Sequence, residues 1–395
     1  MKLSMIAFLR IWLPGFALVL IPPVASAWGQ QIVVAPDTSE CPGATFHQIQ
    51  AAIDAANPGD HLRVCRGIYP EQLSITKALD LDADNGAILQ PGPLVANTTS
   101  LFDSSPIAAA ILVANASNVS ITGLIVDGVH NSATQCSPDL IGIMFRNASG
   151  SIAHAAIKNF ALRSSLTGCQ SGNAIFVESG AGQSSTVLID NCAIHDFQKN
   201  GITGNEIGTT VLIRRNVVTG IGPTTGAAQN GIQIGFGAQG LIEGNTVTNN
   251  LSSPCSSVQT CQSVATNILV NGSDGVRISG NTAGLSQVPI FIDGNNAQVF
   301  DNEAFSAYVF DALRVQGDNS QIHRNRLYNS SESAIYIMGN NNHISENAIE
   351  DSPIGILLAR GAYGNLLFAN FFAATPIEIQ DPQAQSLARA VQPMR

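Results

Sequence analysis

The sequence predicts an all-β solenoid, and three observations lead to this class. An asparagine recurs at steps of 29, 36, 21, 23, 22 and 23 residues. Each of these asparagines follows a short apolar segment, as in LIEGNTV, and a second segment of the form Gly-Ile-x-Ile recurs between them. A polar residue at a fixed place in a repeat of about twenty residues is typical of solenoids. The recurring positions are Asn216, Asn245, Asn281, Asn302, Asn325, Asn347 and Asn370.

The recurring asparagine predicts a structural ladder. Equivalent residues on successive coils lie about 4.8 Å apart, a spacing at which stacked side-chain amides donate to and accept from each other. Upstream, the same place is held by Cys192, Ala155 and Leu124. We therefore expect the ladder to lose its asparagines there, and Cys192 to be a buried and inert thiol.

The chain begins like an exported protein. Residues 1–27 combine a basic start, an apolar run and a small-residue end, which is typical of a signal peptide. The sequence thus predicts a secreted or periplasmic protein. We expect an N-terminal cap helix and first coils at 28–106, parallel β-helix coils at 107–382 and a C-terminal tail at 383–395. The repeats predict roughly eleven coils in all.

Charge narrows the classes of partner. The formal net charge is -10, and removal of Lys2 and Arg10 with the leader brings it to about -12. An acidic surface argues against nucleic acid and anionic membranes as partners. No stretch after the leader is long and apolar enough for a membrane span. We expect a monomeric protein.

Seven cysteines fit an oxidising compartment. Six cysteines allow 15 pairings, so the connectivity is a choice among many. The repeat register favours one of them, which leaves Cys192 unpaired. The favoured pairs are Cys41 with Cys65, Cys136 with Cys169, and Cys255 with Cys261.

One stretch has a helical pattern. Residues 45–56, TFHQIQAAIDAA, place Ile49 and Ile53 on one face, and Thr45 is positioned to cap the start. A solenoid needs a cap over its apolar end. We expect this helix to cover the N-terminal end.

The opening TFHQIQAAIDAANPGDHLRVCRGIYPEQLSITKALDLDADNG and the repeats such as LIEGNTV resemble a known family. They are similar to bacterial right-handed parallel β-helix proteins of the pectin-lyase-like superfamily, with repeats of the carbohydrate-binding and sugar-hydrolase type. The resemblance implies a single-stranded right-handed parallel β-helix that contacts glycans. It does not imply one activity, because the superfamily contains lyases, hydrolases, esterases, epimerases and non-enzymatic proteins. The usual catalytic signatures of pectinesterases, polygalacturonases, pectate lyases and alginate lyases are missing from this sequence.

The candidate groove is the outward face of the Gly-Ile-x-Ile segments, since the resemblance implies a glycan cleft on that sheet. The longest insertions, at 128–140, 161–172, 220–230 and 249–266, lie beside this face. The alternative is that these are ordinary outward strand positions. The carbohydrate-binding candidates are Phe176, Glu178, Asn205, Gln233, Asn271, Phe291, Asp293 and Arg314.

Catalysis is harder to locate. A two-carboxylate hydrolase needs its pair about 5–9.5 Å apart, whereas Glu178 and Asp293 are four coils, roughly 19 Å, apart. A loop carboxylate such as Asp139 or Asp196 would have to complete the pair. Asp293 beside Arg314 is a weak catalytic candidate for a lyase, with a cross-strand ion pair as the alternative.

The histidines show no metal-ligand spacing, and no cofactor is identified. Calcium at loop carboxylates is left open. The sequence therefore predicts an exported β-helix that recognises a polysaccharide or other glycan in the outward groove. A lyase or hydrolase acting in that groove, and a surface scaffold that binds a protein partner, are the alternatives.

Overall fold

The computed structural model describes residues 29–37, 39, 41–163 and 165–383. The predicted signal peptide, and the predicted tail apart from residue 383, lie outside the described residues. Apart from the first strand, Gln31–Val34, which is followed by a helix, each coil contributes one strand to each of three long sheets, whose strands pair in parallel with the coils before and after. The prediction of an all-β, single-stranded parallel β-helix is confirmed.

The three sheets are named here by the order in which a coil visits them. Sheet 1 comprises Gln31–Val34, Asp60–Val64, Leu79–Ala83, Val119–Thr122, Gly150–Ala153, Ser185–Asp190, Thr209–Arg214, Gln239–Glu243, Arg277–Ser279, Gln298–Phe300, Gln321–His323, His343–Ser345 and Leu366–Phe368. Sheet 2 comprises Gly67–Tyr69, Ala87–Leu89, Ile125–Asp127, Ala156–Phe160, Ala193–Phe197, Val217–Thr224, Thr246–Ser252, Thr282–Ser286, Glu303–Ala307, Arg326–Ser330, Ala348–Glu350 and Phe371–Ala373. Sheet 3 comprises Leu73–Ile75, Pro106–Ala114, Asp139–Arg146, Asn173–Glu178, Asn200–Asn205, Asn230–Gly235, Thr266–Asn271, Val288–Asp293, Leu313–Val315, Ser333–Ile337, Ile354–Leu358 and Ile377–Gln380, with Thr98–Thr99 paired antiparallel at Pro106–Ala114.

The solenoid is longer than the sequence indicated. The ladder pattern predicted roughly eleven coils, whereas sheet 1 has 13 strands. The difference arises because the coils before residue 107 lack both the ladder segment and the Gly-Ile-x-Ile segment that mark the later coils in the sequence. At about 4.8 Å per strand, thirteen strands span about 58 Å.

The core is a continuous column of Ile, Val and Leu side chains. Alternation along each strand turns every second residue inward, as in Val187, Ile189, Val211 and Ile213, which are fully buried. The same pairing register carries these residues from coil to coil. Each coil therefore buries its apolar face only against its neighbours.

The N-terminal helix is shorter than predicted and is capped differently. Helix α1 spans Ile49–Ala55, and its N-cap residue, Gln48, makes no side-chain capping bond. Thr45 instead pairs through its backbone N–H with Val33. The carboxylate of Glu71 accepts the N–H groups of Ile49 and Gln50 at 2.7 and 2.8 Å. The prediction that Thr45 caps this helix is thus wrong, because a side chain from the next coil satisfies the free N–H groups.

The asparagine ladder is confirmed. The Oδ1 atom of Asn281 accepts both the backbone N–H and the Nδ2 group of Asn245 at 2.9 Å, and the same geometry recurs from Asn216 to Asn370. Upstream, the backbone N–H of Cys192 donates to Asn216 at 2.9 Å. Cys192 is a buried free cysteine, and burial raises the pKa of its thiol to about 11.

Two further polar ladders were not predicted. Both lie where the chain turns from sheet 3 to sheet 1. On the outside, the side chains of Asp274, Asn295, Asp318 and Asn340 each accept a backbone N–H from the following coil. On the inside, Ser320, Asn342 and Asn365 accept backbone N–H groups of the preceding coil. Mixed residue types conceal these columns in the sequence.

Three disulfides join Cys41 to Cys65, Cys136 to Cys169, and Cys255 to Cys261. These are the pairs that the repeat register favoured. Within the described ranges, no helix is long and apolar enough to cross a membrane.

The ladder makes a prediction about stability. Asn281→Ala should lower the free energy of unfolding by about 3 kcal/mol, because it leaves the backbone N–H of Asn245 and the carbonyl of Ile242 buried without partners. Urea unfolding followed by circular dichroism measures the change. Gln298→Ala is the control, since this exposed side chain lies on the outward face of sheet 1 in the next coil. Equal midpoints for the two variants would contradict the structural role of the ladder.

Candidate functional site

The middle strands of sheet 3 form the floor of the candidate site. Register pairing places Glu178 beside Asn205, and Phe176 beside Thr203. On the following strand, Gln233 continues the column of Phe176 and Thr203. Phe176 and the other members of these columns point away from the core. Because most of these members are polar, the outer surface of the sheet is largely polar here.

A third column of polar residues precedes these two. Asn200 pairs with Asn230, and Asn230 pairs with Thr266. The residues are joined by hydrogen bonds from Asn230 Nδ2 to Asn200 Oδ1 at 3.1 Å and from Thr266 Oγ1 to Asn230 Oδ1 at 2.8 Å. Asn200 Nδ2 donates to Gln233 Oε1 at 3.3 Å, which links this column to that of Phe176. Gln233 Nε2 in turn donates to Asn205 Oδ1 at 3.1 Å, in the column of Glu178. The floor is therefore a fixed network of side-chain amides.

A short segment covers one side of this floor. Residues 98–105, named the flap, leave the solenoid, and Thr98–Thr99 pairs antiparallel with the start of Pro106–Ala114. The backbone N–H of Leu101 donates to Glu178 Oε1 at 3.2 Å. At the tip, Phe102 meets Phe236 with ring centroids 5.6 Å apart.

The insertions predicted beside this face provide the opposite wall. Gln170, Ala228 and Val264 come from three of them and line the same depression. The disulfide between Cys136 and Cys169 ties two insertions together, which restricts their movement beside the floor.

Flap, floor and insertions enclose a depression of about 430 Å³, named the cleft. This volume suits a small ligand or a few residues of a longer chain. The cleft is lined by Ser100, Phe102, Asp103, Ser105, Asp139, Gln170, Asn173, Phe176, Glu178, Lys199, Asn200, Asn205, Glu206, Ala228, Asn230, Gln233, Phe236, Val264, Leu269 and Asn271.

Glu178 lies beneath the flap and is only 1% exposed. Burial raises the pKa of its carboxyl to about 7, and the negative charges of Glu206 and Asp103 act in the same direction. The N–H of Leu101 and the guanidinium of Arg146, 3.9 Å away, act against this shift. Near neutral pH the Glu178 side chain is therefore divided between its protonated and ionised forms.

Three other ionisable groups in the cleft are also perturbed by burial. Burial, with the charge of Asp103, raises the pKa of Asp139 to about 6. Burial also raises the pKa of Glu206. Lys199 has its pKa lowered to about 8 by burial, and its Nζ donates to the carbonyl of Ala228 at 2.8 Å. Such shifts are common in binding and catalytic sites.

The structure brings together five of the eight predicted carbohydrate-binding residues. These five are Phe176, Glu178, Asn205, Gln233 and Asn271. The other three, Phe291, Asp293 and Arg314, lie on later strands of the same sheet, beyond the cleft.

The expected cross-strand ion pair between Asp293 and Arg314 is wrong. Register places Arg314 opposite Phe291, not Asp293. The Arg314 guanidinium instead binds the buried carboxylate of Asp311, with Nε 2.9 Å from Oδ2. Of the two loop carboxylates, Asp139 lines the cleft, whereas Asp196 lies on sheet 2 beside His195.

Sequence reasoning missed part of the cleft lining. A usable signal existed for two of the missed residues, because an asparagine precedes the Gly-Ile pair in NGITG and NGIQI. The flap has no periodicity, and nothing in its sequence indicates that it approaches sheet 3. The insertions were predicted beside this face, but their lack of periodicity conceals which of their residues line it. The missed residues with polar or aromatic side chains include Phe102, Asp103, Asn173, Lys199, Asn200, Glu206, Asn230 and Phe236.

Comparison with known proteins supports the fold. Residues 253–386, about a third of the chain, match the profile of the family described as "Periplasmic copper-binding protein (NosD)". No curated protein sequence matches the chain significantly. Among solved structures, the mannuronan C-5 epimerase AlgE4 A-module of Azotobacter vinelandii is similar over 84% of this chain and 92% of its own, at 15% identity and a TM-score of 0.54.

Two other solved structures show the same likeness. A GH136 lacto-N-biosidase from Eubacterium ramulus matches over 87% of this chain and 68% of its own, at 12% identity and a TM-score of 0.55. PfbA, a surface adhesin of Streptococcus pneumoniae, matches over 84% and 88%, at 13% identity and a TM-score of 0.53. At such identities the likeness shows the fold alone. The chain is a right-handed parallel β-helix repeat protein.

The residues that the structure describes do not fit a copper site. Copper is held by imidazole and by soft sulfur ligands. Across the described part of the chain, no three His, Cys, Asp or Glu side chains are placed to hold a metal ion. In the part that matches the NosD profile, Cys255 and Cys261 form a disulfide, and His323 stacks on Phe300. Calcium at loop carboxylates stays a prediction.

The raised pKa of Glu178 predicts that the stability of the protein depends on pH. Its ordinary value of 4.5 applies to the unfolded chain, so between about pH 4.5 and 7 the folded state binds more protons. Stability contributed by this group therefore falls as pH rises through that window. Glu178→Gln keeps an acceptor for the N–H of Leu101 but carries no charge. The stability of the variant relative to the wild type should therefore be greater at about pH 8 than at about pH 5.

Chemical unfolding at the two pH values measures this difference. Glu243→Gln, which changes an exposed carboxylate on sheet 1, is the matched control. A constant stability difference between wild type and Glu178→Gln at both pH values would show that Glu178 does not titrate in this range.

Proposed function

We propose that this chain is an exported protein that recognises carbohydrate in the cleft on sheet 3. The main support for the proposal is the network of side-chain amides on the floor of the cleft. Asn200, Asn205, Asn230 and Gln233 hold one another in place, and each amide offers both a donor and an acceptor. Sugar hydroxyl groups have the same double capacity, so a fixed set of amides can match their pattern without reorganising.

Aromatic side chains at the rim support the same ligand class. Phe102 is 71% exposed and Phe236 is 43% exposed, and the two rings meet across the cleft. Phe176 is half-buried in the floor. Large exposed rings beside convergent polar groups are typical of binding sites for molecules that have both apolar faces and polar edges.

Several observations support export to the periplasm or to the outside of the cell. The leader has the composition of a signal peptide, three disulfides are formed, and part of the chain matches a family described as periplasmic. Two of the proteins with similar structures are named for action on carbohydrates. Phe291, Asp293 and Arg314 would extend the binding surface along sheet 3 for a longer glycan.

A lyase or hydrolase in the same cleft is the second candidate. Glu178, with a pKa of about 7, lies on the strand next to Glu206, whose pKa is also raised. Carboxyl groups with raised pKa serve as proton donors in glycoside hydrolysis. The flap would have to lift from Glu178 during such a reaction, because this carboxyl group is 1% exposed and accepts the N–H of Leu101. Recognition without catalysis needs no such movement.

A glycan panel tests the proposal and separates it from the alternatives. Binding would be measured on the exported form of the protein, with reducing ends and unsaturated products read in the same wells. Binding without product supports recognition, and binding with product supports the enzyme. Failure to bind any glycan would contradict the proposal and favour a scaffold for a protein partner.

The rim aromatic provides a sharper test. Phe102→Ala should weaken glycan binding about tenfold, because the ring loses its contact with the ligand while little of the protein core is disturbed. Titration calorimetry with the best glycan from the panel measures the loss. Tyr363→Ala removes an equally exposed aromatic ring from a turn in the C-terminal coils and should leave binding unchanged. Equal losses of glycan affinity in both variants would argue against the cleft as the binding site.

A further inference from the structure

The cleft has more hydrogen-bond acceptors and negative charge than the protein itself satisfies. Four carboxyl groups line it, against one basic side chain. The basic residue, Lys199, donates to the backbone carbonyl of Ala228, and no carboxylate in the described residues lies within ion-pair distance of it. The four carboxyl groups are those of Asp103, Asp139, Glu178 and Glu206.

Two of these carboxyl groups have no partner. Among the described residues, the side chains of Asp139 and Glu206 make neither an ion pair nor a hydrogen bond, although both are only partly exposed. By contrast, Asp103 accepts the N–H of Ser105 at 3.0 Å, and Glu178 accepts that of Leu101. Removing a carboxylate from water without a partner is unfavourable, so Asp139 and Glu206 are placed to gain from a ligand that supplies donors.

An independent observation comes from a neutral side chain in the same cleft. Asn173 is 5% exposed, and its Oδ1 atom is buried without any hydrogen-bond partner in the described structure. Asn173 lines the cleft at the start of its strand, opposite Ile141, which follows Asp139 by two residues on the strand before. A buried acceptor without a donor is rare in folded proteins, and it calls for a donor from outside the chain.

We infer that the cleft takes a glycan with free amino groups, a hexosamine oligomer in its ammonium form, in preference to a polyuronate or a neutral glycan. The inference rests on the proposed function and names its ligand class. Each ammonium group brings three donors and one positive charge. Amino groups on different residues of an oligomer can therefore pair with Asp139 and Asn173, at the start of their strands, and with Glu206, just after the end of its strand. A uronate would add negative charge beside four carboxyl groups, and a neutral sugar would leave their charge unpaired.

The experiment compares four oligosaccharides of equal length by titration calorimetry near neutral pH and low salt: glucosamine, N-acetylglucosamine, glucose and galacturonate oligomers. We expect the glucosamine oligomer to bind at least about tenfold more tightly than the other three. The advantage should shrink in high salt, because an exposed charge pair is screened.

Two variants locate the preference in the cleft. Asp139→Asn and Glu206→Gln keep side-chain size but remove a charge, so each should reduce the affinity for the glucosamine oligomer about fivefold to tenfold. Each should reduce the affinity for the glucosamine oligomer by a larger factor than the affinity for the N-acetylglucosamine oligomer, which offers no charge to the lost carboxylate. Glu378→Gln, an exposed carboxylate in the last strand of sheet 3, is the control and should change neither affinity.

The outcomes separate this inference from the proposed function. Equal binding of the glucosamine and N-acetylglucosamine oligomers, or tighter binding of the galacturonate oligomer, overturns the inference and leaves carbohydrate recognition standing. A preference for glucosamine that survives in both cleft variants also overturns it, because the charge would then act from elsewhere. Failure of all four oligomers to bind overturns the inference and counts against the proposed function as well.

Discussion

Backbone hydrogen bonding between successive coils is the interaction on which the other features of this protein depend. It fixes the distance between equivalent residues at about 4.8 Å, so a polar side chain inside one coil lies within hydrogen-bond reach of its equivalents in the neighbouring coils. Asn245 illustrates this, because it accepts from Asn216 and donates to Asn281. The ladder ends at Cys192, whose backbone N–H still donates to the side chain of Asn216. Pairing between coils thus selects which residues the interior can hold.

The same constraint explains how much of the fold the sequence reveals. A column of one residue type, such as the ladder through Asn281 and Asn302, leaves a periodic mark that is easy to find. A column of mixed types, such as Asp274 with Asn295, fulfils a similar role without that mark. The helix cap was misassigned for a related reason. Glu71 lies one coil away from α1, and local sequence rules consider only nearby residues such as Thr45.

The residues of the cleft likewise divide into those that the repeat pattern reveals and those that it does not. Its floor belongs to the repeat, so Phe176, Asn205 and Gln233 were found from the alternation of Gly-Ile-x-Ile segments. Its flap and walls interrupt the repeat, so their approach to sheet 3 depends on tertiary contacts such as the bond from Leu101 to Glu178. Residues of the first kind can be predicted from spacing, whereas those of the second kind need the folded structure.

The contrast between the cleft and other surfaces of the solenoid supports a ligand as the reason for the unpaired groups. In the later coils, arginines and carboxylates pair closely, as Arg324 does with Asp301 at 2.8 Å and Arg326 with Glu303 at 3.0 Å. The chain can therefore place opposite charges together where only stability matters. The unpaired carboxyl group of Asp139 and the unsatisfied oxygen of Asn173 occur together in one cleft. Because each coil contacts only its neighbours, a solenoid can tolerate such a local cost, and binding would offset it there.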